Sequence, residues 1–103
     1  MKMYTNESQT AKLIELGFEP KQVPATCGWA DDENYTIGEL FEILPDVVES
    51  EDSEYATIQL YFDAFNWVIE YTSVETTLYA VSAVELIDAL FYMTVKLREE
   101  GVI

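Results

Sequence analysis

The stretch YATIQLYFDAFNWVIEYT, residues 55–72, decides how this chain folds. β-branched and aromatic residues fill both of its arms, and such residues suit a pleated, half-buried surface. The segment between them, Asp63–Asn66, reads as a turn. Folding about it sets Phe62 opposite Trp67, Leu60 opposite Ile69 and Ile58 opposite Tyr71. One face then carries Ile58, Leu60, Phe62, Trp67, Ile69 and Tyr71. The other carries Thr57, Gln59, Tyr61, Val68, Glu70 and Thr72. A slip of one residue would turn the apolar set to water, so the alternation fixes the register. The pattern predicts a β-hairpin with one face that must be covered.

What covers it is the stretch SAVELIDALFYMTVKLREEG, residues 82–101. Val84, Ile87, Leu90, Phe91, Thr94 and Leu97 recur at helical spacing, and Leu86 and Met93 widen the stripe. Ser82 and Glu85 have capping-box spacing, Gly101 is a C′ stop, and Lys96 and Arg98 sit where a helix dipole favours positive charge. TTLYAV, residues 76–81, reads as a third strand. On the N-terminal side, TNESQTAKLIELGF (5–18) predicts a helix capped at Thr5 or Asn6, with Gln9 completing a box and Gly17 closing the end. Residues 19–34, with two prolines, a glycine and three consecutive acids, read as irregular. YTIGELFEILP (35–45) predicts a second helix, boxed by Thr36 and Glu39 and stopped by Pro45. The expected order is α, α, β, β, β, α. It describes a single α+β domain over residues 1–103, with two N-terminal helices, a three-stranded antiparallel sheet and a long C-terminal helix packed on one sheet face.

Composition narrows the function classes. The 103 residues suit one domain, half of them are apolar, and 14% are aromatic, which acidic disordered chains are not. The lone cysteine, Cys27, excludes an intramolecular disulfide. No secretory h-region opens the chain and no uncharged apolar run reaches membrane-spanning length, so a cytoplasmic address is expected. Twenty acids oppose five bases, for a formal charge of −15. Between Lys21 and Lys96 lie fifteen Asp and Glu and no Lys or Arg. Phosphates are held by Lys and Arg, so neither direct nucleic-acid binding nor an anionic membrane is expected.

Chemistry is equally constrained. The chain has no histidine, no P-loop and no G-x-G-x-x-G, and its lysines lie towards the two ends. No catalytic residue, metal ligand or cofactor is assigned, and the chain is read as a non-enzyme. Paired carboxylates need a cleft to act as acid and base. The acidic runs at 31–34 and 49–54 lack the glycine that a calcium-binding EF-hand loop requires.

Two stretches, AKLIELGF…YTIGELFEILP and ELIDALFYMTVKLREEGVI, resemble small uncharacterised acidic proteins carried by phages and other mobile elements of gut bacteria. The resemblance covers the first two helices and the last, and implies no functional residue. The order strand, strand, strand, helix over residues 55–90 is similar to that of HicB-type antitoxins. With the preceding helix it also matches double-stranded-RNA-binding domains, but the basic residues that such domains place on RNA are missing here.

The stretch DVVESEDSEY, residues 46–55, holds five acids and leads into the hairpin. Asp46, Glu49, Glu51, Asp52 and Glu54, followed by Tyr55, Gln59 and Tyr61 on the polar strand face, form the candidate partner-binding surface. Tyrosine brings a large, rather rigid area with a polar tip, and carboxylates around it would steer a basic protein. The expected function is an acidic protein-interaction module. The alternatives are a nucleic-acid mimic, an antitoxin-like inhibitor, and a small cation-binding or structural protein. For the mimic, Glu39 and Glu42 have the i, i+3 spacing of a charged helix face, and Asp46 and Glu49 would share it if residues 45–49 were helical.

Overall fold

The hairpin forms in the register that alternation demands. A computed structural model, which describes residues 2–18, 34–49, 54–74 and 76–103, pairs β2 (Tyr55–Asp63) with β3 (Asn66–Thr72). Phe62 lies opposite Trp67, Leu60 opposite Ile69 and Ile58 opposite Tyr71. Ala64 takes a left-handed φ of 56° in the tight connection. β4 (Thr77–Ala83) extends the sheet beyond β3, with one bulge at Tyr71/Thr72.

Among the described residues the sheet has four strands rather than three. β1 (Val47–Glu49) pairs antiparallel with the start of β2 and gives the order β1-β2-β3-β4. Residues 47–49 are therefore extended, so Asp46 and Glu49 do not share a helical face. The cause is Val48, whose side chain faces Ala56 across the pair and is buried at 4% exposure.

Among the described residues two helices precede the sheet, as expected. In α1 (Glu7–Glu15), Asn6 Oδ1 accepts from the Gln9 N–H at 2.8 Å while Gln9 Oε1 accepts from the Asn6 N–H at 3.0 Å. Gly17, at φ +97°, closes the helix with two tight bonds, Phe18 N–H to the Leu13 carbonyl and Gly17 N–H to that of Ile14. In α2 (Ile37–Ile43) the reciprocal box of Thr36 and Glu39 forms. Leu44 leaves the helix at ψ 128°, the extended conformation that Pro45 imposes on the residue before it.

α3 (Leu86–Glu99) starts three residues later than the Ser82 cap predicts. Ser82 remains in β4, opposite Val68, because strand pairing runs on to Ala83 opposite Trp67. The N-cap is Glu85, whose side chain makes no capping bond and instead accepts from the Lys2 backbone N–H at 3.1 Å. Val84 falls outside the helix and is 70% exposed rather than on its core face. At the other end Gly101, at φ +75°, closes α3 as Gly17 closes α1.

α3 packs on β3 and β4 and also against α2. Ile87, Leu90, Met93 and Leu97 are fully buried with Ile69 and Tyr71 of the sheet. Each fully buried aliphatic side chain contributes about 1.5–3 kcal/mol. Thr94, also buried, donates its hydroxyl to the Leu90 carbonyl at 2.8 Å, so no polar group is stranded there. Coverage stops short of the hairpin tip: Leu60 is 38% and Phe62 55% exposed, although both lie on the apolar face. No helix among the described residues is long and apolar enough to cross a membrane.

Candidate functional site

The polar face of the sheet becomes a site only if nothing lies over it, and that depends on where α1 goes. Arg98 Nε of α3 donates to the Leu16 carbonyl at 2.8 Å, and its guanidinium stacks 4.7 Å from the Phe18 ring centroid. At the other end of α1, Gln9 Nε2 donates to Asp88 Oδ1 at 2.7 Å and Lys2 Nζ reaches the same oxygen at 2.9 Å. Burial alone would raise the Asp88 carboxyl, but the bonds from Lys2 and Gln9 and the Lys2 charge outweigh it and hold it below the usual carboxylate range. α1 is thereby tied to the helical side of the molecule. Tyr55 and Tyr61, on the opposite side, are exposed at 66% and 40%.

The register arranges this outer face in rows. Glu49 stands beside Tyr55, Val47 beside Thr57 and then Thr72, and Gln59 beside Glu70 and then Ala80. Tyr61 stands beside Val68, and Asp63 beside Asn66. The Tyr61 hydroxyl donates across the diagonal to Glu70 Oε1. That bond, followed by slight desolvation and the charges of Glu70 and Asp63, raises the Tyr61 phenol above its ordinary value. No strand carries a Lys or Arg, so nothing on the sheet offsets the acids Glu49, Asp63 and Glu70 of β1, β2 and β3, and β4 adds no charge.

Of the residues expected to bind a partner, Glu49, Tyr55, Gln59 and Tyr61 share this face. Glu54 stands at its rim, just before β2, where its carboxylate accepts from Ser73 Oγ at 3.1 Å. Asp46 stands apart. Its carbonyl accepts from the Ile58 N–H at 3.1 Å, and its charge bears on the Tyr71 hydroxyl of the inner face. Glu51 and Asp52 lie outside the described residues.

Two features went unassigned in the sequence reading. Glu70 belongs with the candidate residues, because it fixes the Tyr61 hydroxyl; the signal was its place two residues beyond the position opposite Tyr61, within diagonal reach. The second is the hairpin tip, where Phe62 and Trp67 meet edge to face with centroids 5.2 Å apart and Phe65 is 82% exposed. Comparison of the chain with family models, curated proteins and solved structures found no match.

Proposed function

We propose that the chain is a non-enzymatic, acidic protein-binding module that offers the outer face of its sheet to a basic partner protein. The observation that carries this reading is the open face itself. Tyr55 and Tyr61 stand exposed on rigid strands, Glu49, Glu70 and Asp63 surround them, Glu54 forms the rim, and no strand of the sheet carries a base. Tyrosines on strands lose little conformational freedom on binding and fit the buried centre of an interface. The surrounding carboxylates raise the encounter rate with a cationic surface and reject anionic ones. Direct binding of DNA or RNA is not expected for the same reason.

A nucleic-acid mimic draws less support. The extended conformation of residues 47–49 removes one of its two carboxylate pairs, and Glu39 of the other is engaged in capping α2.

The test is affinity capture from the native host at low salt, followed by elution with rising salt. The wild type is compared with Tyr55→Ala/Tyr61→Ala and with Glu49→Gln/Glu54→Gln/Glu70→Gln. The reading expects a basic protein that elutes early from the carboxamide variant and is lost from the tyrosine variant. Equal capture by all three proteins refutes it. So does a mobility shift of duplex DNA or RNA by micromolar protein at about 150 mM salt.

A further inference from the structure

From Thr76 to Val84 the chain holds no charged residue, although it carries twenty acids and five bases in all. β4, Thr77–Ala83, lies inside that run and ends the sheet. One of its edges pairs with β3, and among the described residues no strand pairs with the other. A bare edge presents a row of N–H and C=O groups to any strand that arrives, and proteins commonly guard such edges with charge, proline, brevity or a bulge. β1, at the opposite edge, is guarded: it has three residues, one of them Glu49, and acids follow it. The part of β2 that runs past β1 carries Asp63 at its end. β4 has seven residues and neither charge nor proline. Its single bulge sits at its start and leaves Tyr79–Ala83 regularly paired.

We propose that β4 of one copy pairs antiparallel with β4 of a second copy, joining two four-stranded sheets into one of eight strands. Charge selects the occupant. Two copies at −15 repel wherever their acids meet, and the 76–84 run is where they can approach without setting carboxylate against carboxylate. The strand is also self-complementary about a two-fold axis. Centred on Ala80, the pairing sets Tyr79 opposite Val81 of the second copy on the inner face, an aromatic and β-branched pair of the favourable kind. It continues the rows Tyr71–Tyr79 and Ile69–Val81 that already exist within each copy. On the outer face Ala80 meets Ala80, and its neighbour Ser82 is uncharged too. The edge thus takes a second copy, while the outer face stays free and becomes continuous across the two-fold. The inference stands independently of what that face binds.

Sedimentation of the full chain from micromolar to sub-millimolar concentration tests it. The expected result is a concentration-dependent dimer that tightens with sodium chloride, because salt screens the repulsion between the two copies. Backbone amides of β4 should exchange more slowly as concentration rises, while those of β1 do not change. Ala80 is exposed, so Ala80→Lys is tolerated by the monomer, yet it sets two like charges across the two-fold. It should weaken association roughly tenfold or more, equivalent to about 1.4 kcal/mol, with an unchanged far-ultraviolet spectrum. Ala80→Pro, which removes a backbone donor, should give the same loss. A monomer at every concentration, a dimer that Ala80→Lys leaves intact, or a dimer whose β4 amides exchange at the monomer rate overturns the proposal.

Discussion

Tyr71 and Tyr61 stand on opposite faces of one hairpin, and both phenols are held above their ordinary pKa for different reasons. Tyr71 is fully buried and donates its hydroxyl to the Pro45 carbonyl at 2.7 Å. Burial first, and then the nearby charge of Asp46, push it up. Tyr61 is 40% exposed, and its proton is held chiefly by the Glu70 carboxylate. One tyrosine is fixed by packing and the other by a carboxylate at the surface. The inner face therefore carries the stability of the fold, while the outer face keeps its charge available to another molecule.

The sharpest way to break that division is to delete matter from each side. Leu90→Ala removes a fully buried side chain of α3 and should cost about 2–5 kcal/mol, read from denaturant midpoints. Tyr55→Ala on the outer face should stay within about 0.5 kcal/mol of the wild type. Comparable losses from the two variants would mean that the outer face is covered in solution.

Tyr71→Phe tests the inner tyrosine itself. Losing its bond to Pro45 should cost about 0.5–1.5 kcal/mol at neutral pH. The same group should contribute to the alkaline loss of stability. Its folded pKa lies above its unfolded value, so the stability it supplies is complete below about pH 10 and drains away as pH rises above that. The slope for one proton is at most about 1.4 kcal/mol per pH unit. Urea melts above pH 10 should show a shallower decline in Tyr71→Phe than in the wild type. An identical decline would assign the alkaline loss to other groups.

At the acid end the relevant group is Asp88, which anchors α1 and thereby keeps it off the outer face. Its folded pKa is depressed, so its contribution is present above the unfolded value of about 3.9 and is lost as pH falls through the folded one. Asp88→Asn should cost up to about 1 kcal/mol at neutral pH, since the pair with Lys2 is only partly buried. The variant should lose less than the wild type on acidification below pH 4. Protease sensitivity of the α1 segment would report the loosened anchor directly.

The same contrast between faces explains what could be read before the structure. Period-2 alternation identified the hairpin and its register because only one face of it can be buried. The caps Asn6 with Gln9 and Thr36 with Glu39 were legible because each box satisfies local donors with local side chains. β1 was not legible: three residues carry no period, and Val48 is drawn into the sheet only through Ala56, eight positions away. The spacing of Ser82 and Glu85 suggested a cap, but pairing with Val68 and Trp67 kept 82–83 in the strand, a tertiary outcome that local spacing cannot foresee. The polar face itself was visible in residues 57–61. That it stays open follows from Arg98, Asp88 and Lys2 drawing α1 elsewhere, contacts spanning eighty or more residues of sequence.

The smallest expected effect tests the outer face alone. Glu70→Gln removes the carboxylate that accepts from Tyr61, together with its charge. The Tyr61 phenol should then titrate closer to its ordinary value, as followed by the ring resonances of labelled tyrosine. The melting midpoint should not move, because the pair is exposed. Tyr61→Phe should likewise leave the midpoint in place. It loses the hydroxyl but keeps the ring, so if the ring provides the area and the hydroxyl only its orientation, partner dissociation should quicken less than in Tyr61→Ala. Were Glu70→Gln to leave the Tyr61 titration unchanged, the diagonal bond would not persist in solution. Tyr61 would then be a freely rotating side chain, and the outer face would lose a fixed polar anchor at its centre.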